Sequence, residues 1–292
     1  MIDERQGGVE PAERRFDVTG LTIAAREWGR RGDLPVLAMH GWLDNAGSFD
    51  LLAPLLEGCN TVALDAAGHG FSGFRSADSG YNLWQDVGDM IDVADLLGFD
   101  RFRLIGHSRG AAIATLLAGT CPERVEQLVL IEGGLPLIGR PEDAPGTLAQ
   151  ALRRKRELAG RSGRVFADRD AAIAERVAGF TPVTREAAEI LARRSLREVA
   201  GGHTWHCDQR LKAPSELRLT AEHVRAFVRR VEAPVLMLMA EQSAFRDWRE
   251  YADIVPLFRR LDSATLPGRH HLHLEGTEAE IAARIRRFFG LG

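Results

Sequence analysis

The stretch Phe102–Gly119 reads FRLIGHSRGAAIATLLAG, an apolar run of strand length and an alanine-rich helical run separated only by Gly106-His107-Ser108-Arg109-Gly110. A reversal from strand to helix over so few residues needs small side chains on both flanks, because larger ones would meet the neighbouring strand and helix. The G-x-S-x-G spacing supplies them. The central hydroxyl is then presented at the strand's carboxyl end and at the positive amino end of the helix, where developing negative charge is favoured. An ordinary tight turn would explain the glycines alone; the strand–turn–helix setting predicts Ser108 as a nucleophile.

Working outward, strand-length runs rich in Val, Ile and Leu occur at Leu21–Trp28, Pro35–Met39, Thr61–Leu64, Val125–Ile131, Pro234–Met239 and Asp262–Leu266. Helical patterns at Asn82–Leu97, Ala111–Gly119 and Thr277–Phe289 alternate with them. This alternation predicts an α/β fold with a mostly parallel sheet covered by helices on both faces. The alternation stops between residues 134 and 230, where helical text runs through Thr147–Leu158, Asp170–Ala178, Arg185–Val199 and Ala221–Arg230. The expected organisation is a polar, disordered tail at 1–15, a core formed by 16–133 and 231–292, and an inserted helical lid at 134–230.

The 292 residues, 45% hydrophobic and 27% charged, suffice for one large domain with a sizeable insertion. A net charge of -3 offers no basic excess to displace counterions from phosphates, so no nucleic-acid partner is expected. Residues 134–230 hold 19 Lys and Arg against 12 Asp and Glu. That excess is read as solvated helical faces or, more sharply, as a basic lid drawing an anionic small-molecule substrate. Cys59, Cys121 and Cys207 lack C-x-x-C spacing and predict neither disulfides nor zinc. No apolar run approaches the roughly 18 residues of a membrane span, and the first residues lack a secretory pattern. A cytoplasmic protein with no membrane partner is expected.

A serine nucleophile needs a base, a group to orient that base, and donors for the oxyanion. His40-Gly41-Trp42 follows a strand, where the Trp42 backbone N–H could serve as one donor; the Arg109 backbone N–H would be the other. The bland alternative is that His40-Gly41 only makes a strand exit. For the base, Gly268-Arg269-His270-His271-Leu272-His273-Leu274-Glu275 is the dense late histidine cluster. Its three histidines lack the ligand set and helical spacing of a zinc motif, so no metal and no cofactor are expected.

The segments HGW at His40–Trp42, LDAAGHGFSG at Leu64–Gly73, GHSRG and GRHHLHLE together resemble the α/β-hydrolase superfamily. Within it, HGWLDNAGSFD at His40–Asp50, GHSRGAA at Gly106–Ala112 and LVLIEGG at Leu128–Gly134 are similar to the serine hydrolase-like family. The resemblance covers most of residues 20–292 and is thinnest in the insertion. It implies an α/β-hydrolase fold and a hydrolase using a Ser-His-acid set without a cofactor. Counting back five positions from Glu275, as the superfamily's G-H-x-x-x-x-E pattern does, selects His270, with His271 as the fallback and His273 as a packing residue; Arg269 departs from the common second glycine.

The superfamily often places its acid just after the strand that here is Pro234–Met239, where Ser243 stands. Some members take it from the end of the strand that follows the nucleophile helix, and that position is Glu132. Glu132 is therefore chosen over Glu241 and Asp247, with an ion pair to Arg109 or Arg140 as its structural alternative. Asp65 and His69 are read as organising their loop, and Trp205, His206, Asp208 and Arg210 as packing of the insertion, with bordering the substrate as the alternative. The expected reaction is hydrolysis of a small-molecule ester, or a thioester or amide, through an acyl-enzyme on Ser108. A C–C bond hydrolase and a non-catalytic ligand receptor on the same scaffold are the alternatives.

Overall fold

The computed structural model describes residues 10–243, 245 and 248–292. Strands β1 (Ala12–Val18), β2 (Leu21–Trp28), β3 (Leu34–Met39), β4 (Cys59–Leu64), β5 (Phe102–His107), β6 (Val125–Ile131), β10 (Val235–Ala240) and β11 (Leu261–Leu266) form one sheet. Its order is β1-β2-β4-β3-β5-β6-β10-β11, parallel from β4 to β11 and antiparallel at β1 and β2. Between β6 and β10 lie the short strands β7 (Val165–Phe166), β8 (Leu196–Val199) and β9 (Gly202–Trp205). The helices are α1 (Leu83–Leu97), α2 (Arg109–Thr120), α3 (Ala144–Leu158), α4 (Arg169–Val177), α5 (Arg185–Ser195), α6 (Ala221–Arg230), α7 (Arg249–Ile254) and α8 (Glu278–Phe289).

The central strands are apolar at nearly every position because both faces are covered. Leu37, Val62, Leu104 and Leu130 point to one core with Met90 of α1, Ile113 of α2 and Ile254 of α7. Val36, Ala63, Ile105 and Val129 point to the other, with Ile281, Ile285 and Phe289 of α8. The doubly covered α/β sheet expected from the sequence is the observed architecture.

Three expectations need correction. The 1–15 tail is too long, since β1 begins at Ala12 and pairs with β2 from Ala12↔Glu27 to Val18↔Leu21. The first four residues of this edge strand, Ala12–Arg15, are exposed and carry no apolar alternation; only Phe16 and Val18 pack on the core, and Arg14–Glu27 and Arg26–Glu13 ion pairs sit on the strand. Second, the insertion is not all helical: Leu196–Val199, expected as helix, is β8 and pairs with β9 in a small sheet of order β7-β9-β8. Gly201 and Gly202, at φ 87° and 138°, make the turn, and a Cβ on Gly202 would lie 1.9 Å from the Phe166 carbonyl oxygen. Third, α6 is a core helix rather than part of a lid, because its Val224 and Val228 are fully buried in the same core as α2.

Candidate active site

Ser108 precedes α2 at φ 52° and ψ -116°, a conformation that L-residues rarely adopt. The flanking glycines have a steric cause. A Cβ on Gly106 would sit 2.5 Å from the Gly110 carbonyl oxygen, and one on Gly110 would sit 2.0 Å from that of Met39. The turn is thus wedged between the start of α2 and the end of β3. The Ser108 N–H is held by the Ile131 carbonyl at 3.0 Å, which ties the turn to β6 as well.

His270 arrives on the loop after β11, with Nε2 2.9 Å from Ser108 Oγ. Its Nδ1 lies 3.2 Å from Glu132 Oε2. Glu132 follows β6 at φ 46°, its side chain fully buried, and its Oε1 accepts the Ala240 N–H at 2.6 Å. The three side chains proposed from the sequence are therefore one hydrogen-bonded series. Glu241 is exposed, and Asp247 lies outside the described residues. The ion-pair alternatives for Glu132 go elsewhere: Arg109 pairs with Asp86, and Arg140 with Asp143.

Trp42 lies in the loop that leaves β3, whose last residue Met39 pairs with Gly106. Among the described residues the Trp42 N–H has no hydrogen-bond partner, whereas its indole Nε1–H donates to the Leu211 carbonyl at 3.0 Å. The Arg109 N–H belongs to the first turn of α2, where no carbonyl one turn earlier is available to accept it. Both amides are thus unengaged among the described residues.

The remaining histidines are structural in their contacts. His271 Nε2 lies 3.0 Å from Asp44 Oδ2, so the fallback base is turned away from Ser108. His273 is buried against Ser48 Oγ at 2.7 Å, and burial pushes its imidazole down to about 3. Asp65 accepts the N–H groups of Ala46 and Phe71 and pairs with Arg194, while His40 Nε2 accepts the Ala66 N–H. His69 Nε2 accepts the Leu43 N–H. Of the insertion's polar cluster, Asp208 takes the Tyr81 hydroxyl and Arg210, and His206 meets the Gly70 carbonyl.

Sequence reasoning overlooked Asp44, His107 and Arg176. Asp44 Oδ2, His107 Nδ1 and His271 Nε2 lie within 4.8 Å of one another, a donor set a divalent cation could use. Positive charge is already supplied there by Arg176, whose Nη2 is 2.8 Å from Asp44 Oδ1. Asp44 stood inside the quoted HGWLDN segment and could have been weighed. Nothing in the local text around Arg176 signals its long-range contact.

A sheet of this order, with a serine on the β5–α2 turn facing a late histidine, defines an α/β hydrolase. The family model described as the alpha/beta hydrolase fold matches residues 35–277, and the chain belongs to that family. It is 30% identical to serine hydrolase-like protein 2 of Homo sapiens over 95% of this chain and 93% of that protein. A solved hypothetical protein from Pseudomonas aeruginosa is 43% identical, with a TM-score of 0.91 over 97% of this chain and 100% of that one. The thioesterase domain from the curacin biosynthetic pathway, 24% identical with a TM-score of 0.85 over 95% of this chain and 99% of that one, shares the fold.

Proposed function

We propose that the chain is a serine esterase that cleaves small-molecule esters through an acyl-enzyme on Ser108. The observation that carries this is the contact of His270 Nε2 with Ser108 Oγ at 2.9 Å, backed by Glu132 on the other ring nitrogen. In this reading His270 removes the Ser108 proton as Oγ attacks the ester carbonyl, and the Trp42 and Arg109 N–H groups receive the oxyanion. Collapse of the tetrahedral intermediate expels the alcohol, which takes the proton from His270. Water then attacks the acyl-enzyme with His270 again as base, releasing the carboxylic acid and free Ser108. Glu132 holds the ring in the tautomer with the proton on Nδ1 and stabilises the imidazolium. The related thioesterase domain supports acyl transfer as the class of chemistry.

The substrate we infer is neutral near the reacting carbonyl. Three arginines of the insertion that reach the core are engaged: Arg176 with Asp44, Arg194 with Asp65, and Arg210 with Asp208 and the Ser76 carbonyl. Arg109, beside the nucleophile, is paired with Asp86. This weighs against the basic lid as a trap for anions. No helix of the described residues is long and apolar enough to cross a membrane. A cytoplasmic setting belongs to the same proposal and is supported by three unbridged cysteines.

The test is covalent labelling by a fluorophosphonate. Ser108 is expected to carry the label, and Ser108→Ala to lose both labelling and turnover of a p-nitrophenyl ester. Retention of either in the variant removes the proposal. Anionic esters turned over faster than neutral ones of equal chain length would reverse the inference about substrate charge.

A further inference from the structure

The insertion enters the site's surroundings through one side chain. Arg176, in the last turn of α4, directs Nη2 to Asp44 Oδ1 at 2.8 Å and Nη1 to the Thr181 carbonyl at 2.7 Å. Asp44 is 2% exposed and lies two residues beyond Trp42, in the same loop. Its other oxygen receives the Nε2–H of His271, the neighbour of His270, at 3.0 Å. His107, the neighbour of Ser108, donates its Nε2–H to the His270 carbonyl at 2.8 Å and turns Nδ1 toward Asp44 Oδ2 at 3.9 Å, with no other partner among the described residues. Asp44 of the Trp42 loop is thus bonded by the chain neighbour of His270 and faced by the chain neighbour of Ser108.

The charges leave Arg176 a particular place in this cluster. Burial raises the Asp44 carboxyl, but the charges of His271 and Arg176 outweigh that and hold it well below the usual carboxylate range. Burial, followed by the neighbouring histidines, keeps His107 neutral by lowering it well below its ordinary value. The guanidinium is therefore the permanent cation on Asp44 among the described residues. A buried carboxylate stripped of its cation is strongly unfavourable and would draw its loop toward water or another donor.

We propose that Arg176 is a positioning residue for the esterase reaction: by pairing with Asp44 it locks the Trp42 loop and the His270 loop in one register, so that docking of the insertion and assembly of the site are a single linked state. The proposal rests on the roles given above to Ser108, His270 and Trp42. Arg176 touches none of the reacting atoms and acts through Asp44 and His271. Displacing loops that carry an oxyanion donor and a base acts on the transition state more than on ground-state binding, since misplacement by about 1 Å can cost on the order of a hundredfold in rate.

Arg176→Ala is measured in the full chain against the parent with a p-nitrophenyl ester. We expect kcat to fall about tenfold or more with KM within about twofold. Free guanidinium, below the concentrations that unfold the chain, should restore part of kcat, and Arg176→Lys should retain part of it. Arg185→Ala, which removes an exposed ion pair with Asp170 on the neighbouring helix, should match the parent. A kcat within about twofold of the parent overturns the proposal, as does a change confined to KM or a loss that neither guanidinium nor lysine repairs. Should Arg176→Ala not fold, Arg176→Lys alone decides: reduced kcat at unchanged KM supports the positioning role, and parental kcat overturns it. Activity surviving in Ser108→Ala would instead strike the esterase reading, which separates the two failures.

Discussion

Glu132 reaches His270 from the end of β6, its Oε2 3.2 Å from the ring Nδ1, while its Oε1 is fixed by the Ala240 N–H of β10. The carboxylate is thus clamped between two adjacent strands and cannot swing away from the imidazole without losing a buried hydrogen bond. Its backbone at φ 46° carries strain that the sheet on both sides sustains. In the proposed reaction, a carboxylate so held would favour the imidazole tautomer with its proton on Nδ1 and its bare Nε2 toward Ser108. It would do so from a strand other than the one immediately before the histidine loop.

Glu132→Gln should keep the shape of this contact and lose its charge. We expect kcat for a p-nitrophenyl ester to fall at least about tenfold, as loss of an orienting carboxylate does in serine hydrolases. Glu241→Gln, at an exposed position, should leave kcat unchanged. Steady-state kinetics on the two variants decide the matter, and the reverse pattern would move the acid to Glu241.

The two glycines of the nucleophile turn give a second prediction, on stability. In Gly110→Ala the new methyl would fall 2.0 Å from the Met39 carbonyl oxygen and 2.7 Å from that of His40, both backbone atoms that a rotamer change cannot move. The helix or β3 must shift, and the expected cost is about 3 kcal/mol or more, among the larger values for point substitutions. Gly88→Ala, in the middle of α1 with open space at its Cβ, should instead stabilise by about 0.5–1 kcal/mol. Urea unfolding midpoints of both variants check the contrast.

What was legible in the sequence was what is local. The strand–turn–helix around Ser108 spans a few residues, and its steric demand for Gly106 and Gly110 is written beside the serine. His270 stood in a cluster dense enough to find, and the family's counting pattern chose among its members the one whose ring meets Ser108. Glu132 could be named because the resemblance to the superfamily points to the end of the strand after the nucleophile helix, and that strand, Val125–Ile131, is a legible apolar run. β1 could not, since Ala12–Arg15 are exposed and Phe16 and Val18 alone give an alternation too short to reveal a strand. The insertion's β7 is two residues long and β8 and β9 four each, too short for periodicity. Arg176 is the extreme case, because its meaning is a contact with a residue 132 positions away.

A third prediction concerns Arg194, which is 3% exposed and joins the insertion to the core by donating to both oxygens of Asp65 while also pairing with Glu13 of β1. Removing one member of a buried pair leaves the other uncompensated, at a cost of about 3–5 kcal/mol. Arg194→Met should therefore lower stability by that order. The double variant Arg194→Met with Asp65→Asn should recover part of the loss, because the stranded charge is gone. Denaturant titration of the two single variants and the double variant gives the coupling, and strict additivity would argue that the pair is not energetically linked.

The last prediction follows from the buried histidines. Burial is the main cause that lowers His273 to about 3, against an ordinary value of 6.5 that the unfolded chain retains. Between those values the unfolded chain binds a proton that the folded chain refuses. Stability is therefore full above about pH 6.5 and is lost as the pH falls through the window toward 3, at about 1.4 kcal/mol per pH unit for each such group. His40, His69 and His107 are lowered by burial in the same direction and steepen the slope. Urea midpoints at pH 7.5 and pH 5 should differ accordingly, the lower pH being less stable. His273→Gln, which can keep a hydrogen bond to Ser48, should lose stability at both pH values but show a smaller difference between them. An unchanged difference in that variant would mean that His273 takes up a proton in the folded state.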